Sequence, residues 1–150
     1  MFNNKFIGVE KALKEYDLIF IEEKYNFKFP NKVKEYYLQY NGGEPEKYIF
    51  IDEDEDSFIV QKFVSIKYNS GGGQTLENYI QDIKEDAILP KWLIPFAYDP
   101  GGDIYCFSID KEDNGAIYYW SHEHDLEEDT EEHVVWLSES MESFINNMTN

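Results

Sequence analysis

The sequence predicts an α+β fold: a single domain whose mainly antiparallel sheet is packed by helices from both chain ends. Helical apolar spacing occurs near both ends, and short aromatic and β-branched runs typical of strands lie mostly between them. This order indicates α+β rather than alternating βαβ units, with the sheet covered on one face. The chain has 150 residues, 42% of them hydrophobic, including 12 Tyr and 11 Phe. We therefore expect one packed domain over residues 1–150.

Four helices are predicted. The first covers Val9 to Tyr25 and has the least regular pattern, because Leu18 to Ile21 is a continuous apolar run. The other three share the spacing i, i+3, i+4, i+7. Their apolar positions are Val33, Tyr36, Tyr37 and Tyr40, then Leu76, Tyr79, Ile80 and Ile83, then Met141, Phe144, Ile145 and Met148. The candidate N-caps are Asn31, Thr75 and either Ser138 or Ser140, and the candidate helix stop is Asn41-Gly42-Gly43.

Six strands are predicted from short runs of aromatic and β-branched residues. They are Tyr48 to Ile51, Phe58 to Ile66, Trp92 to Tyr98, Asp103 to Ile109, Ala116 to Trp120 and Val134 to Leu137. Pro95 makes the third an edge or irregular strand, and Asn114-Gly115 indicates a hairpin before the fifth. We expect the helix faces to pack against a sheet containing Tyr105, Phe107, Tyr118 and Trp120, and a shift of one residue in register would invert the strand faces.

The charge balance bears on the class of partner. The formal net charge is −18, with 31 acids against 13 bases, and every base is lysine. Nucleic-acid binding needs clustered cations, so this field argues against nucleic acid as a direct partner. The same field attracts a basic protein and raises its association rate.

Two acidic clusters are candidate partner-binding sites. The first comprises Asp52, Glu53, Asp54, Glu55 and Asp56. The second comprises Glu123, Asp125, Glu127, Glu128, Asp129, Glu131 and Glu132. Grouped acids repel one another, so a partner or solvent has to compensate them. We hypothesise that one or both clusters, with nearby aromatic anchors, bind a basic partner; the alternative is that both are solvated loops.

The motifs that resemble metal or phosphate sites are incomplete. Asp52 to Asp56 begins like a calcium loop, but Ser57 replaces the required Gly and Phe63 the bidentate Glu. His122 and His124 could hold a metal, yet no HExxH motif or cysteine partner supports this, and His133 stands apart. The glycine-rich segment 69–74 lacks the Lys of a phosphate loop. We therefore expect no catalytic residues, no metal and no cofactor.

The cysteine content and the apolar runs bear on localisation. Cys106 is the single cysteine, so no intrachain disulfide forms, and no base flanks it in its strand. No signal peptide is visible, and no apolar run approaches the ~20 residues of a membrane span. These features predict a soluble, cytoplasmic protein.

Three stretches, in order and at matching spacing, resemble the SUKH superfamily. Ile21 to Gly43 reads IEEKYNFKFPNKVKEYYLQYNGG, Leu93 to Tyr105 reads LIPFAYDPGGDIY, and Gly115 to Glu123 reads GAIYYWSHE. The superfamily includes yeast cell-wall assembly regulators and bacterial toxin-immunity proteins. No family motif accounts for the two acidic clusters.

The resemblance implies an α+β fold without catalysis and tight binding to a cognate protein. For a small bacterial member, it implies an immunity protein that neutralises a polymorphic or contact-dependent toxin, often a basic nuclease. A regulatory protein-binding scaffold and a metal-dependent hydrolase using His122 and His124 remain as alternatives. Asn41-Gly42-Gly43 and the turn from Asp99 to Asp103 have structural explanations as well, as a helix stop and a tight turn.

Overall fold

The computed structural model describes residues 2–86, 89–121 and 134–150. These residues form four helices and nine strands. The helices are α1 (Glu15–Tyr25), α2 (Asn31–Gln39), α3 (Leu76–Asp86) and α4 (Met141–Asn146). The strands are β1 (Phe6–Ile7), β2 (Glu44–Pro45), β3 (Ile49–Ile51), β4 (Ser57–Ile59), β5 (Lys62–Phe63), β6 (Leu93–Tyr98), β7 (Ile104–Ser108), β8 (Ile117–Trp120) and β9 (Val134–Ser138).

The largest sheet has five strands in the order β5-β6-β7-β8-β9, and every neighbouring pair is antiparallel. Two smaller antiparallel sheets pair β1 with β2 and β3 with β4. The predicted α+β fold with a mainly antiparallel sheet is confirmed. No helix in the described ranges has the length and apolar character that a membrane span requires.

An aromatic hub of five rings joins segments from both ends of the chain. Phe63 lies at its centre, with ring centroids 4.9 Å from Phe6, 5.0 Å from Tyr36, 5.2 Å from Phe96 and 6.4 Å from Phe144. All five side chains are buried, and tilted or edge-to-face ring pairs at these distances stabilise a core beyond their area burial. Helices from both chain ends therefore share one core, as the apolar spacing predicts.

The opposite sheet face carries a second apolar cluster. Leu93, Ile104, Cys106 and Trp120 are buried there with Leu89, and Tyr79 and Ile83 of α3 pack against them. The prediction that one face alone is covered is therefore wrong. Of the two strand faces left open for β8, the inverted one is found, with Tyr118 and Trp120 in this second cluster. Ile117 and Tyr119 contact the main core instead, because side chains alternate along β8.

Several predicted boundaries are corrected. α1 begins at Glu15, not Val9, because the Asp17 carboxylate accepts a hydrogen bond from the Lys14 amide (2.9 Å) at the start of the helix. The run Phe58 to Ile66 contributes to two strands, β4 and β5, which pair with β3 and β6 respectively. The two-residue strands β1 and β2 are not predicted, since each is too short to show a period.

Pro95 is tolerated inside β6 for a local reason. β6 lies between β5 and β7, so the predicted edge position is wrong, but the strand is irregular at Pro95 as expected. β5 pairs with β6 at Ala97 and Tyr98, beyond the proline. No ladder bond from β5 therefore needs the missing amide of Pro95.

The helix caps are partly as predicted. Thr75 Oγ1 accepts the Asn78 amide (3.2 Å), and Ser140 Oγ accepts the Ser143 amide (3.1 Å). Asn31 is the first residue of α2 and does not cap it, because Pro30 occupies the cap position. The cap at the other end of α2 is Tyr40, in an extended conformation rather than the left-handed one.

Asn41 forms a buried clamp directly after α2. Its Nδ2 donates to the carbonyls of Lys11 and Ile66, both at 2.9 Å, and its Oδ1 accepts the Ile66 amide at 2.7 Å. Gly42 and Gly43 follow with positive φ angles of 76° and 109°. The Asn-Gly-Gly motif thus does more than end the helix, because it ties the segments before α1 and after β5 to the end of α2.

Candidate functional site

The acidic loop, residues 52–56, closes the hairpin of β3 and β4. Asp52 Oδ1 accepts hydrogen bonds from the amides of Asp54 (3.0 Å) and Asp56 (2.9 Å). Glu55 adopts a left-handed conformation with φ of 65°, which completes the turn. Asp52 is half-buried and Glu53 to Asp56 are exposed, so the loop presents four carboxylates to solvent.

The acidic loop forms no ion pair with any other residue that the structure describes. No lysine in the described ranges forms an ion pair with it; the ion pairs present there join Lys32 and Lys67 to other acids. Carboxylate oxygens of Asp52, Asp54 and Asp56 lie within 4.8 Å of one another. Like charges at this separation repel, and a cationic group brought to the loop relieves that repulsion.

A cleft of about 300 Å³ lies beside the acidic loop. We call it the edge cleft; it is bounded by the end of β3, the second half of β9 and one side of α4. The acids Asp52, Glu53 and Glu139 are among the residues that line it, as is the aromatic Trp136. Apolar and acidic groups therefore meet in one concave surface.

Large apolar side chains are exposed next to this cleft. Trp136 is 46% exposed, Val135 41% and Ile51 50%. Aromatic side chains beside charged groups are common at the centre of protein interfaces. The sequence patterns locate the acids but not Trp136 or Glu139, because strand order decides which strand lies at an edge and sequence periodicity does not report it.

The second predicted cluster, Glu123 to Glu132, lies outside the described residues. His122, His124 and His133 lie outside them as well. The structure therefore places the first predicted cluster and leaves the hypothesis about the second as it stands.

The Asp99 to Asp103 turn has an internal structural role. Asp99 Oδ1 accepts the amides of Gly101 and Asp103, both at 2.9 Å. The Tyr119 hydroxyl donates to Asp103 Oδ2 (2.6 Å) and lies 3.1 Å from Asp99 Oδ2. Burial, then the hydrogen bond to Asp103 and the nearby carboxylates, raises the pKa of Tyr119, so this hydroxyl stays protonated as a donor.

Replacement of Tyr119 by Phe is expected to lower the free energy of unfolding by about 1–3 kcal/mol, because two carboxylates lose their shared donor. Urea denaturation of both proteins measures this difference. Tyr48→Phe is the matched control, since Tyr48 is 44% exposed. Equal losses for the two variants would contradict the structural role of the Tyr119 hydroxyl.

Two further features of the described residues are a buried thiol and a mostly apolar cavity. Cys106 is fully buried, and burial raises the pKa of its thiol, which disfavours the nucleophilic thiolate. A cavity of about 540 Å³ lies between the end of α1, α3 and the start of β6. Its described lining is mostly apolar and contains no acid, histidine or cysteine.

The fold and the site define an α+β domain with an acidic and aromatic cleft at one sheet edge. Residues 12–147 match the family model described as SMI1 / KNR4 family (SUKH-1). Because the match covers most of the chain, the chain belongs to this family, and the resemblance noted from its three landmark stretches is confirmed. A search among curated proteins finds no match.

Proposed function

We propose that this SUKH-1 domain is an immunity protein that binds and neutralises a basic toxin domain of the nuclease type. The observation that carries the proposal is the meeting of the acidic loop with exposed Trp136 and Ile51 around the edge cleft. Family membership supports a protein-binding role of this kind. The high negative charge supports a basic partner.

The acidic side chains and the exposed apolar side chains have different roles in this proposal. A nuclease presents lysine and arginine to hold phosphate, and grouped carboxylates occupy such a surface in place of phosphate. The acids mainly accelerate the encounter and exclude acidic or neutral partners. Trp136, which offers a large apolar surface, supplies most of the affinity once it is desolvated against the partner.

The proposal assigns no catalytic activity to the chain. The buried thiol of Cys106 and the internal hydrogen bonds of Asp99 and Asp103 support this part, because those groups already serve the fold. Binding without turnover gives a stoichiometric complex rather than catalysis.

The test begins with the genes beside the one that encodes this chain. We expect one of them to encode a large protein that ends in a basic domain, and that purified domain is the probe. Its expression should stop growth of a host cell, and co-expression of this chain should restore growth. The two proteins should co-migrate as a stoichiometric complex. A toxic basic neighbour that neither binds this chain nor is neutralised by it would contradict the proposal.

Neutralisation of the exposed acids in the acidic loop is expected to slow association with that basic domain by about tenfold at low salt. The variant carries Glu53→Gln, Asp54→Asn, Glu55→Gln and Asp56→Asn, and keeps Asp52 because its carboxylate holds the loop. Stopped-flow or biosensor measurements at several salt concentrations give the rate and its salt dependence.

The matched control changes the same number of exposed acids elsewhere: Glu15, Glu23, Glu46 and Glu112. Both variants have the same net charge, so a local effect slows the loop variant more than the control. Equal slowing of the two would mean that the overall field, not this loop, attracts the partner.

A further inference from the structure

We propose that the outer edge of β9 binds an extended, cation-rich segment of the partner by strand addition, with the partner's backbone paired to β9. This proposal rests on the proposed function, since it specifies how the partner is held. It is carried by the hydrogen-bonding edge of β9 and by the cleft beside it.

Within the part of the chain that the structure describes, the first half of β9 lacks the usual features that prevent strand pairing. β9 is the last strand of the five-stranded sheet, and no strand in the described ranges pairs with its outer side. Its residues read VVWLS, without charge or proline; Val135 and Trp136 are exposed, whereas Leu137 and Ser138 are buried, so the accessible edge is Val134 to Trp136. Natural sheet edges usually carry lysine, proline or a covering segment, so an apolar uncharged edge is typical of a docking strand.

The edge cleft provides the space and the charge for such a segment. Trp136, Leu137 and Ser138 line it along β9, and the end of β3 and one side of α4 form the remaining boundary. Side chains of an added strand alternate, so every second one can point into the cleft. The acidic residues Asp52, Glu53 and Glu139 in its lining favour lysine or arginine nearby.

Charge favours a basic partner over a second copy of this chain as the occupant. A second copy pairing through its own β9 would bring its own acidic loop and Glu139 to the same interface. With a formal net charge of −18 on each copy, that arrangement places like charges together. A segment rich in lysine or arginine meets the same groups with opposite charge.

The probe is a short acetylated and amidated peptide of alternating lysine and valine. Its control is the same peptide with every second backbone nitrogen methylated, which keeps the charge and the side chains but removes donors along one edge. We expect the unmodified peptide to bind at least about tenfold more tightly. We also expect it to slow hydrogen exchange of the outward amides within Val134–Ser138, followed by NMR.

Protein variants locate the binding. Trp136→Lys places a cation on the edge and should weaken binding of the unmodified peptide at least about tenfold. Phe20→Lys is the matched control, because it makes the same charge change at an exposed aromatic of α1. Circular dichroism of both variants checks that they fold.

Equal affinity of the two peptides would overturn strand addition, because electrostatic attraction by itself would then explain the binding. Slow hydrogen exchange of all β9 amides in the free chain would overturn strand addition as well. If this protection depends on protein concentration, a second copy occupies the edge. If it is present at every concentration, the edge is already covered. These outcomes are separate from failure of the proposed function. A toxic domain whose binding survives Trp136→Lys refutes the β9 mode and the anchor role of Trp136 but not the immunity role. Peptide binding without neutralisation of the toxic domain refutes the immunity role.

Discussion

Replacement of Asn41 by alanine is expected to lower the free energy of unfolding by about 3–5 kcal/mol, the largest single effect we expect in this chain. Asn41 is 2% exposed, and its amide group makes three hydrogen bonds to backbone groups. Alanine leaves the buried Ile66 amide without its partner, which costs about 1–3 kcal/mol. The carbonyls of Ile66 and Lys11 each lose one hydrogen bond, worth about 1 kcal/mol, and the Ile66 carbonyl keeps the Tyr68 amide as a donor.

Urea denaturation followed by circular dichroism measures this loss. Asn69→Ala is the control, since Asn69 is exposed and its amide lies 3.5 Å from the Gly73 carbonyl oxygen. The control should change stability by less than about 0.5 kcal/mol, as is usual for surface substitutions. A loss below about 1 kcal/mol for Asn41→Ala would mean that water or a backbone shift replaces the clamp.

Replacement of Gly42 by alanine is the second large effect, a loss of about 3 kcal/mol or more. A Cβ at this position would lie 2.8 Å from the Ser65 amide nitrogen and 2.9 Å from its Cα. Both are backbone atoms that cannot rotate away, and crowding of this kind costs about 1–3 kcal/mol. The left-handed φ of 76° adds about 1–2 kcal/mol for a residue with a side chain.

Gly72→Ala separates these two costs. Gly72 has nearly the same backbone angle, φ of 80°, but a Cβ added there would meet no atom within 4 Å. We therefore expect about 1–2 kcal/mol for Gly72→Ala, the conformational part alone. If the two substitutions are equally destabilising in the same denaturation assay, close packing against Ser65 does not explain why position 42 is glycine.

The α+β fold was accessible from sequence because its main signals are local. The i, i+3, i+4, i+7 spacing of Val33, Tyr36 and Tyr37 reports one buried face, and all three side chains are fully buried in α2. Thr75 and Ser140 identify helix starts because a cap needs a particular side chain at a particular place. Local sequence signals therefore suffice to predict α2 and the starts of α3 and α4.

Predictions that depended on non-local pairing were less successful. An apolar run such as Phe58 to Ile66 does not state which neighbour each half pairs with, and its halves join different sheets. The sequence leaves open the face on which Tyr118 and Trp120 lie, because one step of register exchanges the two faces of a strand; both lie opposite the main core. The alternation of side chains along β8 is predictable from the sequence, but the face that meets the main core is not.

The candidate site also combines residues that the sequence locates and residues that only the fold brings together. The acids from Asp52 to Asp56 are consecutive in the sequence, so the sequence locates the acidic loop directly. Trp136 and Glu139 join it in the edge cleft through packing of β9 beside the end of β3, a contact between positions far apart in the chain. A single sequence carries no local signal for such a contact, and the edge position of β9 follows from the order of all five strands.

The aromatic hub also has a consequence for the order in which the protein folds during synthesis. Phe63 at its centre contacts Phe6 from an early segment and Phe144 from the last helix. Contacts between residues so distant in sequence give a high contact order, and loop closure then slows folding. A ribosome-bound chain that lacks α4 cannot complete the packing around Phe63, so the core closes only after most of the domain has been translated.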